Sequence, residues 1–179
     1  MIITISGMPG SGKTTVAEKI AKKLKLKHYS TGDLRGKIAL KHRMTIDELN
    51  KLGEKEDWTD KEVDYYQKKL GKTSDNFIID GRLGFYFIPN SIKIFLKVDL
   101  KEGAKRILKA GKRPDERKYK NVNESLKEIK KRISSDKKRY KKYYNLNPFI
   151  KKNYDLTIDT TKLKSDDVVK KILNFVKKD

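Results

Sequence analysis

The 179-residue sequence contains no cysteine and only two histidines. Without cysteine the chain can form neither disulfide bridges nor thiolate zinc sites, and nothing in it argues for secretion. His28 and His42 are too few for a metal cluster and are interpreted as surface or packing residues. No run approaches the roughly eighteen apolar residues of a membrane-spanning helix, and the first residues lack the basic flank of a signal peptide. We therefore expect a cytoplasmic protein with no membrane partner.

Arginine is also scarce, although the chain is strongly basic. The formal net charge is +21, but only eight of the 45 basic residues are arginine. The lysines are spread over the whole chain at helical spacing, which is typical of solvated helix faces and does not indicate a specific nucleic-acid site. A planar guanidinium can bind two phosphate oxygens at once, whereas lysine cannot. The positions that keep arginine are therefore candidates for phosphate contacts.

Short apolar runs alternate with amphipathic helical patterns along the chain. The predicted strands are Ile2–Ser6, Lys27–Ser30, Phe77–Asp80, Ile92–Val98 and Tyr154–Asp159. This alternation predicts an α/β fold, with a five-stranded parallel sheet covered by helices on both faces. In such sheets ligands bind beyond the carboxyl ends of the strands. No repeat or linker divides the chain, and we expect a single domain.

Capping patterns and glycines predict where several helices begin and end. Thr45 with Glu48, and Thr59 with Glu62, have the spacing of a capping box, and Gly71 is expected to end the second of these helices. Three further helices are predicted: one capped by Asp99 and Glu102 and ending near Gly111, a long one from about Asn123, and one from Ser165.

The loop after the first strand fits the phosphate-binding pattern G-x-x-x-x-G-K-[ST] in full. In this pattern backbone N–H groups point at the phosphates, Lys13 adds positive charge near the β- and γ-phosphates, and Thr14 offers a hydroxyl to Mg²⁺. The pattern also occurs by chance, but here it follows a strand and precedes an amphipathic helix, as the motif requires. The predicted ATP-binding residues of this loop are Gly7, Met8, Pro9, Gly10, Ser11, Gly12, Lys13, Thr14 and Thr15.

Other classes of phosphate-loop protein fit the sequence less well. A GTPase would carry an N/T-K-x-D guanine motif, and the nearest match, at residues 161–164, lacks the aspartate. The chain is also too short for the additional parts of a large motor ATPase. A small kinase remains, and such an enzyme needs a second cationic site for its phosphate acceptor.

Two further motifs lie directly after predicted strands. Residues 30–35 read Ser-Thr-Gly-Asp-Leu-Arg, which places a glycine turn and a hydroxyl beside Arg35, although Thr31 or Asp33 can also cap a helix there. The sequence Asp80-Gly81-Arg82 ends the third strand. Both motifs resemble elements of the nucleoside monophosphate kinases, and the second is most similar to that of the archaeal-type cytidylate kinases.

This resemblance implies the roles of the residues in both motifs. Arg35 and Arg82 would bind the phosphate of the acceptor nucleotide, and Asp80 would orient Mg²⁺ through water. The remaining residues assigned to the acceptor site here are Thr31, Gly32 and Gly81.

The helix predicted after Thr59 resembles the I-D-x-E-x-D-x-x-Q segment of the cytidylate kinase acceptor domain. Asp60, Asp64 and Gln67 lie at i, i+4 and i+7, so they share one face of that helix. Their oxygen atoms could accept hydrogen bonds from the exocyclic amine of cytosine. An ordinary charged helix face is the alternative interpretation.

The resemblance covers essentially the whole chain and includes a lid. Arg106, assigned to ATP, begins the segment that becomes the lid in this family, at about residues 107–122 with Arg113 and Arg117. The resemblance also implies that residues 159–161 border the adenine.

On the long predicted helix, residues 132–140 resemble the R-x-x-S/E-x-x-x-R-Y stretch of the archaeal-type cytidylate kinases. The two arginines of that stretch reach the phosphates during transfer, so the resemblance implies that Lys13, Arg132 and Arg139 are catalytic. Asp136 lies on the same side of the helix, and a plain salt bridge to it is the alternative role of these arginines.

The sequence thus predicts a P-loop kinase with three layers. Its core would comprise residues 1–32, 76–106 and 123–179, with an acceptor-binding insertion at about 33–75. The predicted activity is Mg²⁺-dependent transfer of a phosphoryl group from ATP to CMP or dCMP by a monomer. The family's archaeal members often have A-G-x-x-F-R where this chain has Ser-Thr-Gly-Asp-Leu-Arg, so AMP or UMP stays open as the acceptor. An RNA-binding protein that depends on a nucleotide is the alternative from another class.

Overall fold

A computed structural model describes residues 1–110 and 118–177 of the protein. Five strands within these residues form one sheet: β1 Ile2–Gly7, β2 Lys27–Ser30, β3 Phe77–Asp80, β4 Ile92–Lys97 and β5 Leu156–Asp159. The strands lie in the order β2-β3-β1-β4-β5, and every neighbouring pair is parallel. The predicted five-stranded parallel sheet is confirmed, and strand bounds differ from the prediction by no more than two residues.

Helices fill the connections between the strands. The α-helices of the described residues are α1 Lys13–Leu24, α2 Thr31–Lys41, α3 Ile46–Gly53, α4 Trp58–Thr73, α5 Gly84–Phe87, α6 Leu100–Ala110, α7 Val122–Tyr144 and α8 Ser165–Val176, with a 3₁₀ turn at Lys151–Asn153. Helices α2 to α4 all lie between β2 and β3, where the acceptor-binding insertion is predicted.

Two hydrophobic clusters cover opposite faces of the sheet. On one face α1 and α8 bury Ile20 and Ile172 against Ile78 of β3. On the other face, side chains of α4, α5 and α7, among them Phe87, pack on Phe77 of the same strand. Neighbouring strand residues point to opposite faces, so β3 contributes to both clusters. The predicted arrangement of three layers is confirmed.

The inserted helices have a small core of their own. Ile38 and Ala39 of α2, Leu49 of α3 and Val63 of α4 are buried together. The predicted capping box at Thr45 is confirmed, because its hydroxyl accepts from the Glu48 backbone N–H and the Glu48 carboxylate accepts from the Thr45 N–H. Helix α3 therefore begins at a fixed point beside α2 and α4.

Two predictions about α4 are wrong. The helix begins at Trp58, so Thr59 lies inside its first turn and its buried hydroxyl donates to the carbonyl of Glu56. The helix also continues through Gly71 to Thr73. A Cβ at Gly71 would lie 3.0 Å from the side chain of Ile88, so tertiary packing against this residue, which directly follows α5, accounts for the glycine.

Two other helices begin differently from the prediction. Ser30 caps α2 by accepting from the backbone N–H of Asp33, so neither Thr31 nor Asp33 is the cap. Asn121 caps α7 by accepting from the N–H of Glu124, and the helix begins one residue before the predicted Asn123. Asp99 accepts from the N–H of Glu102 as predicted.

Within residues 1–110 and 118–177, no helix has the length and apolar character that crossing a membrane requires. The same residues contain no group of three or more acidic or histidine side chains placed to hold a metal ion.

Candidate active site

The phosphate loop connects β1 to α1 at the carboxyl edge of the sheet. Gly10 and Gly12 have φ of 73° and 85°, a left-handed conformation that glycine adopts without strain. A Cβ at Gly10 would also collide with the backbone of Gly103 in α6. The ammonium of Lys13 donates to the carbonyl of Met8 at 3.0 Å, and its enclosure together with the nearby charge of Arg82 lowers the Lys13 pKa.

One cavity of about 380 Å³ extends from this loop to the inserted helices. It brings together most of the predicted site residues: Pro9, Gly10, Gly12, Lys13, Thr14, Thr15, Thr31, Gly32, Arg35, Asp60, Asp64, Gln67, Asp80, Gly81, Arg82, Arg132 and Arg139. The phosphate loop and the predicted acceptor residues therefore face the same enclosed space. Arg113 and Arg117 of the predicted lid lie outside the described residues.

Four predicted ATP-binding residues, Gly7, Met8, Ser11 and Arg106, do not line this cavity. The carbonyl of Gly7 accepts from Arg82 at 2.9 Å, so it supports the wall of the cavity from behind. Arg106 donates to the carbonyls of Thr160 and Thr161 at 2.8 and 3.0 Å. Its guanidinium thus ties α6 to the loop after β5, the segment that the resemblance places beside the adenine.

Buried arginines and aspartates alternate across the middle of the cavity. Arg35 donates to Asp60 at 2.8 Å, and Asp60 also accepts from Arg139. Arg139 donates in turn to Asp136 at 2.6 Å, and the other oxygen of Asp136 accepts from Arg82 at 2.9 Å. Arg139 is only 1% exposed and Asp60 only 4%. We call this set, Arg35, Asp60, Arg139, Asp136 and Arg82, the arginine–aspartate chain.

The arginine–aspartate chain holds three positive charges against two negative charges. Burial alone would raise the pKa of Asp136, but Arg82 and Arg139 outweigh burial and lower it. Burial and the neighbouring charge of Arg139 lower the pKa of Arg35. In addition, Nη2 of Arg35 and Nε of Arg139 have no hydrogen-bond partner among the described residues. A phosphate group in the cavity would more than offset this excess positive charge and could supply acceptors for these donors.

Arg132 does not contact Asp136, the partner that its spacing suggested. Its guanidinium donates instead to Asp47 of α3 at 3.0 Å. Both arginines of α7 therefore contact a carboxylate of the inserted helices, Arg132 at Asp47 and Arg139 at Asp60. These contacts join the long helix to the insertion across the cavity.

The predicted magnesium residues lie next to each other. The hydroxyl of Thr14 donates to Oδ2 of Asp80 at 3.0 Å, and Asp80 is buried. Mg²⁺ is commonly held by the hydroxyl of a phosphate loop, by an acid and by substrate phosphates. The hydroxyl and carboxylate present here fit such an ion. His28 is not a plain packing residue, because its Nε2 lies 2.8 Å from Oδ1 of Asp80, and this hydrogen bond raises the pKa of His28.

The far end of the cavity is lined by polar side chains of α4. Asp64 and Gln67 lie there, buried to 6% and 2% exposure, and Oε1 of Gln67 has no hydrogen-bond partner in the described chain. Asp60, predicted to act with them, is occupied by two arginines. Asp60 therefore belongs to the arginine–aspartate chain, whereas neither Asp64 nor Gln67 forms a hydrogen bond with an arginine among the described residues.

The family model described as "cytidylate kinase-like family" matches residues 2–162 of the chain. The chain belongs to this family. A cytidylate kinase from Methanobrevibacter smithii is 34% identical over 177 residues, which cover 99% of both chains. A cytidylate kinase from Methanocella arvoryzae is 37% identical over 162 residues, which cover 90% of this chain and 89% of the relative. The resemblance read from the sequence motifs is confirmed.

Solved structures support the fold of this cytidylate kinase-like chain. An uncharacterized protein from Eubacterium ventriosum has a TM-score of 0.72 at 21% identity, covering 99% of this chain and 98% of that one. A shikimate kinase from Bacteroides thetaiotaomicron has a TM-score of 0.65 at 17% identity, with the same coverage. These similarities concern the P-loop kinase fold alone.

Three polar residues near the cytidylate kinase-like site were not assigned to it from the sequence. Asn50 of α3 accepts from Nε of Arg35 at 2.9 Å, His28 holds Asp80, and the hydroxyl of Tyr144 donates to Asp64. Each contact joins residues that are far apart in the chain. Position on a buried helix face would have identified Asn50 as a candidate, but the partners follow only from the fold.

Proposed function

We propose that the protein transfers the γ-phosphoryl group of ATP to CMP or dCMP, forming ADP and CDP or dCDP. The main support is that a single cavity contains the phosphate loop, the arginine–aspartate chain and the Asp64–Gln67 wall. A donor triphosphate, an acceptor phosphate and a base would occupy these three regions. The names of the archaeal relatives, which cover nearly the whole chain, agree with this assignment.

Catalysis would consist of positioning two nucleotides and stabilising charge. Lys13 would leave the carbonyl of Met8 and bind the β- and γ-phosphates of ATP. Arg132 and Arg139 would stabilise the charge that spreads over the transferring group. Arg35 and Arg82 would hold the acceptor phosphate.

Mg²⁺ would be held by Thr14, and through water by Asp80. When bound, the ion would neutralise charge on the β- and γ-phosphates. The polar contact of His28 with Asp80 would fix the direction of this carboxylate.

Helices α2 to α4 would form the unit that binds the acceptor, at about residues 33–75, and a lid at about 107–122 would cover ATP. We expect a cytoplasmic monomer that acts on ATP and a nucleoside monophosphate, without a specific nucleic-acid partner.

The test is to incubate the protein with ATP, Mg²⁺ and CMP and to separate the nucleotides by ion-exchange chromatography. Equal amounts of ADP and CDP should accumulate. The variant Lys13→Ala should lose about 10²-fold or more in kcat, the usual effect of removing a positioned donor to the transition state. Formation of ADP without CDP would contradict acceptor phosphorylation, and retained CDP formation in Lys13→Ala would contradict the assigned role of the loop.

A further inference from the structure

The last residue of α7 forms a hydrogen bond with the predicted base-binding wall. The hydroxyl of Tyr144 donates to Oδ2 of Asp64, which lies on α4. Asp64 lines the cavity, whereas Tyr144 is not among the lining residues. Tyr144 therefore acts on Asp64 from behind, and a ligand in the cavity would meet Asp64 and not the tyrosine.

The position of this hydroxyl is fixed by packing. The Tyr144 ring lies nearly perpendicular to that of Phe87, with centroids 5.5 Å apart, and contacts the ring of Tyr86 at 5.7 Å. The preceding residues hold the end of α7 against α3, because Lys142 and Tyr143 donate to backbone carbonyls of residues 53–55. Ring packing and the hydrogen bonds of the two preceding residues thus both hold the Tyr144 hydroxyl beside Asp64.

The hydrogen bond engages one oxygen of Asp64, and the residue itself lines the cavity. Among the described residues, Oδ1 of Asp64 has no hydrogen-bond partner, and neither does Oε1 of the nearby Gln67. An ionised carboxylate accepts hydrogen bonds but cannot donate them. Cytosine presents an amino group at its C4 position, whereas uracil presents a carbonyl oxygen there.

We propose that Tyr144 is a positioning residue for base selection, which holds Asp64 as a hydrogen-bond acceptor and so favours an amino-pyrimidine over an oxo-pyrimidine. This inference rests on the proposed function. Adenine also carries an amino group, so the comparison that isolates the effect is CMP against UMP.

Protonation of Asp64 gives the proposal a measurable signature. Burial is the largest cause of the raised pKa of Asp64, and Asp60 raises it further. The Tyr144 hydrogen bond and the charges of Lys68 and Arg35 lower it, and the net pKa is about 6. A protonated carboxyl could donate to the uracil oxygen. The preference for CMP should therefore fall as the pH drops through this pKa, and removal of the Tyr144 hydroxyl should move the fall to a higher pH.

The experiment measures kcat/KM for CMP and for UMP from pH 5.5 to 8.5. Both nucleotides carry the same phosphate, so its titration cancels in their ratio. Tyr144→Phe keeps the ring packing and removes only the hydroxyl. We expect the CMP-to-UMP ratio of this variant to be about tenfold below that of the wild type at pH 7.5, the size of one hydrogen bond to a charged group. Tyr143→Phe, which loses a hydrogen bond to a carbonyl of α3, is the matched control and should keep the wild-type ratio.

The outcomes separate this inference from the function on which it rests. Equal losses for both substrates in Tyr144→Phe would show a structural role only and would overturn the inference. Asp64→Asn should give a low ratio without pH dependence. A low ratio in Asp64→Asn combined with a wild-type ratio in Tyr144→Phe would contradict the role of Tyr144 but support the assignment of Asp64 to the base site. If wild-type protein turned over neither nucleotide, the proposed function would fail and the inference with it.

If too little folded Tyr144→Phe is obtained, the wild-type profile still tests the step on which the inference depends. A CMP-to-UMP ratio that falls between pH 7.5 and 5.5 supports discrimination by ionised Asp64. A ratio that does not change over this range overturns the inference, because Tyr144 would then have no selective carboxylate to position.

Discussion

Asp60 is the residue of the arginine–aspartate chain whose substitution we expect to affect the stability of the protein most. Its carboxylate accepts hydrogen bonds from Arg35 and Arg139 in a region that water barely reaches. The substitution Asp60→Asn keeps the shape of the side chain and removes its negative charge. Two buried guanidinium groups would then face each other without a shared counter-charge.

Loss of one partner from a buried ion pair typically costs about 3–5 kcal/mol. Asparagine can still accept one hydrogen bond, so we expect the lower end, about 3 kcal/mol. For a protein of this size that loss lowers Tm by roughly 6–12 °C. Differential scanning calorimetry of the wild type and Asp60→Asn measures this directly. Asp166→Asn removes the carboxylate of an exposed pair with Lys19 and should leave Tm unchanged.

Inorganic phosphate adds a second arm to this experiment. If the arginines are placed for a phosphate group, the anion should raise Tm more in Asp60→Asn than in the wild type, because it replaces the missing charge. An Asp60→Asn variant as stable as Asp166→Asn would refute the reasoning about the chain. A destabilised variant that phosphate raises no more than the wild type would refute the placement of its arginines for a phosphate.

Three further predictions concern the acceptor, the metal and the base. Arg35→Ala should raise KM for CMP and leave KM for ATP unchanged in steady-state assays, and equal losses for both substrates would contradict its assignment to the acceptor. Thr14→Ala should raise the Mg²⁺ concentration needed for half-maximal binding of a fluorescent ATP analogue, and an unchanged requirement would remove Thr14 from the metal site. Asp64→Asn should stabilise the protein at pH 8 by up to about 3 kcal/mol, because burial raises the pKa of Asp64 to about 6 and ionisation of the folded protein is costly above that pH. This gain should shrink as the pH falls toward 4 in denaturant titrations, and a gain independent of pH would contradict it.

Much of the fold could be predicted from the sequence because its signals are local. Strand β3 reads as a short apolar run before an acid, and the phosphate loop has its full pattern between a strand and a helix. The errors occurred where tertiary contacts override local rules. Thr59 has the spacing of a cap but is buried inside α4, and Gly71 lies in the last turn of that helix because Ile88, which directly follows α5, leaves little room for a larger side chain.

The sequence predicted which arginines line the candidate site but not which carboxylates they contact. The scarcity of arginine in a lysine-rich chain directed attention to Arg35, Arg82 and Arg139, and all three line the cavity. Their partners join segments separated by up to 79 residues, as in the contact of Arg139 with Asp60. Spacing on α7 suggested Asp136 as a partner for Arg132, whereas the fold brings Asp47 to it. Which carboxylate an arginine contacts depends on how the helices pack against each other, and the sequence of one segment does not determine that packing.

The most direct test of the central claim is a competition among acceptors. The purified protein would receive ATP and Mg²⁺ with CMP, dCMP, UMP, AMP and GMP in parallel, and release of ADP would give kcat/KM for each. We predict a value for CMP or dCMP at least about tenfold above the others, the difference made by one well-placed polar contact to the base. A preference for AMP or UMP would keep the fold and the phosphate chemistry but contradict the assignment of Asp64 and Gln67 to cytosine. Turnover of none of the five would contradict the acceptor site itself.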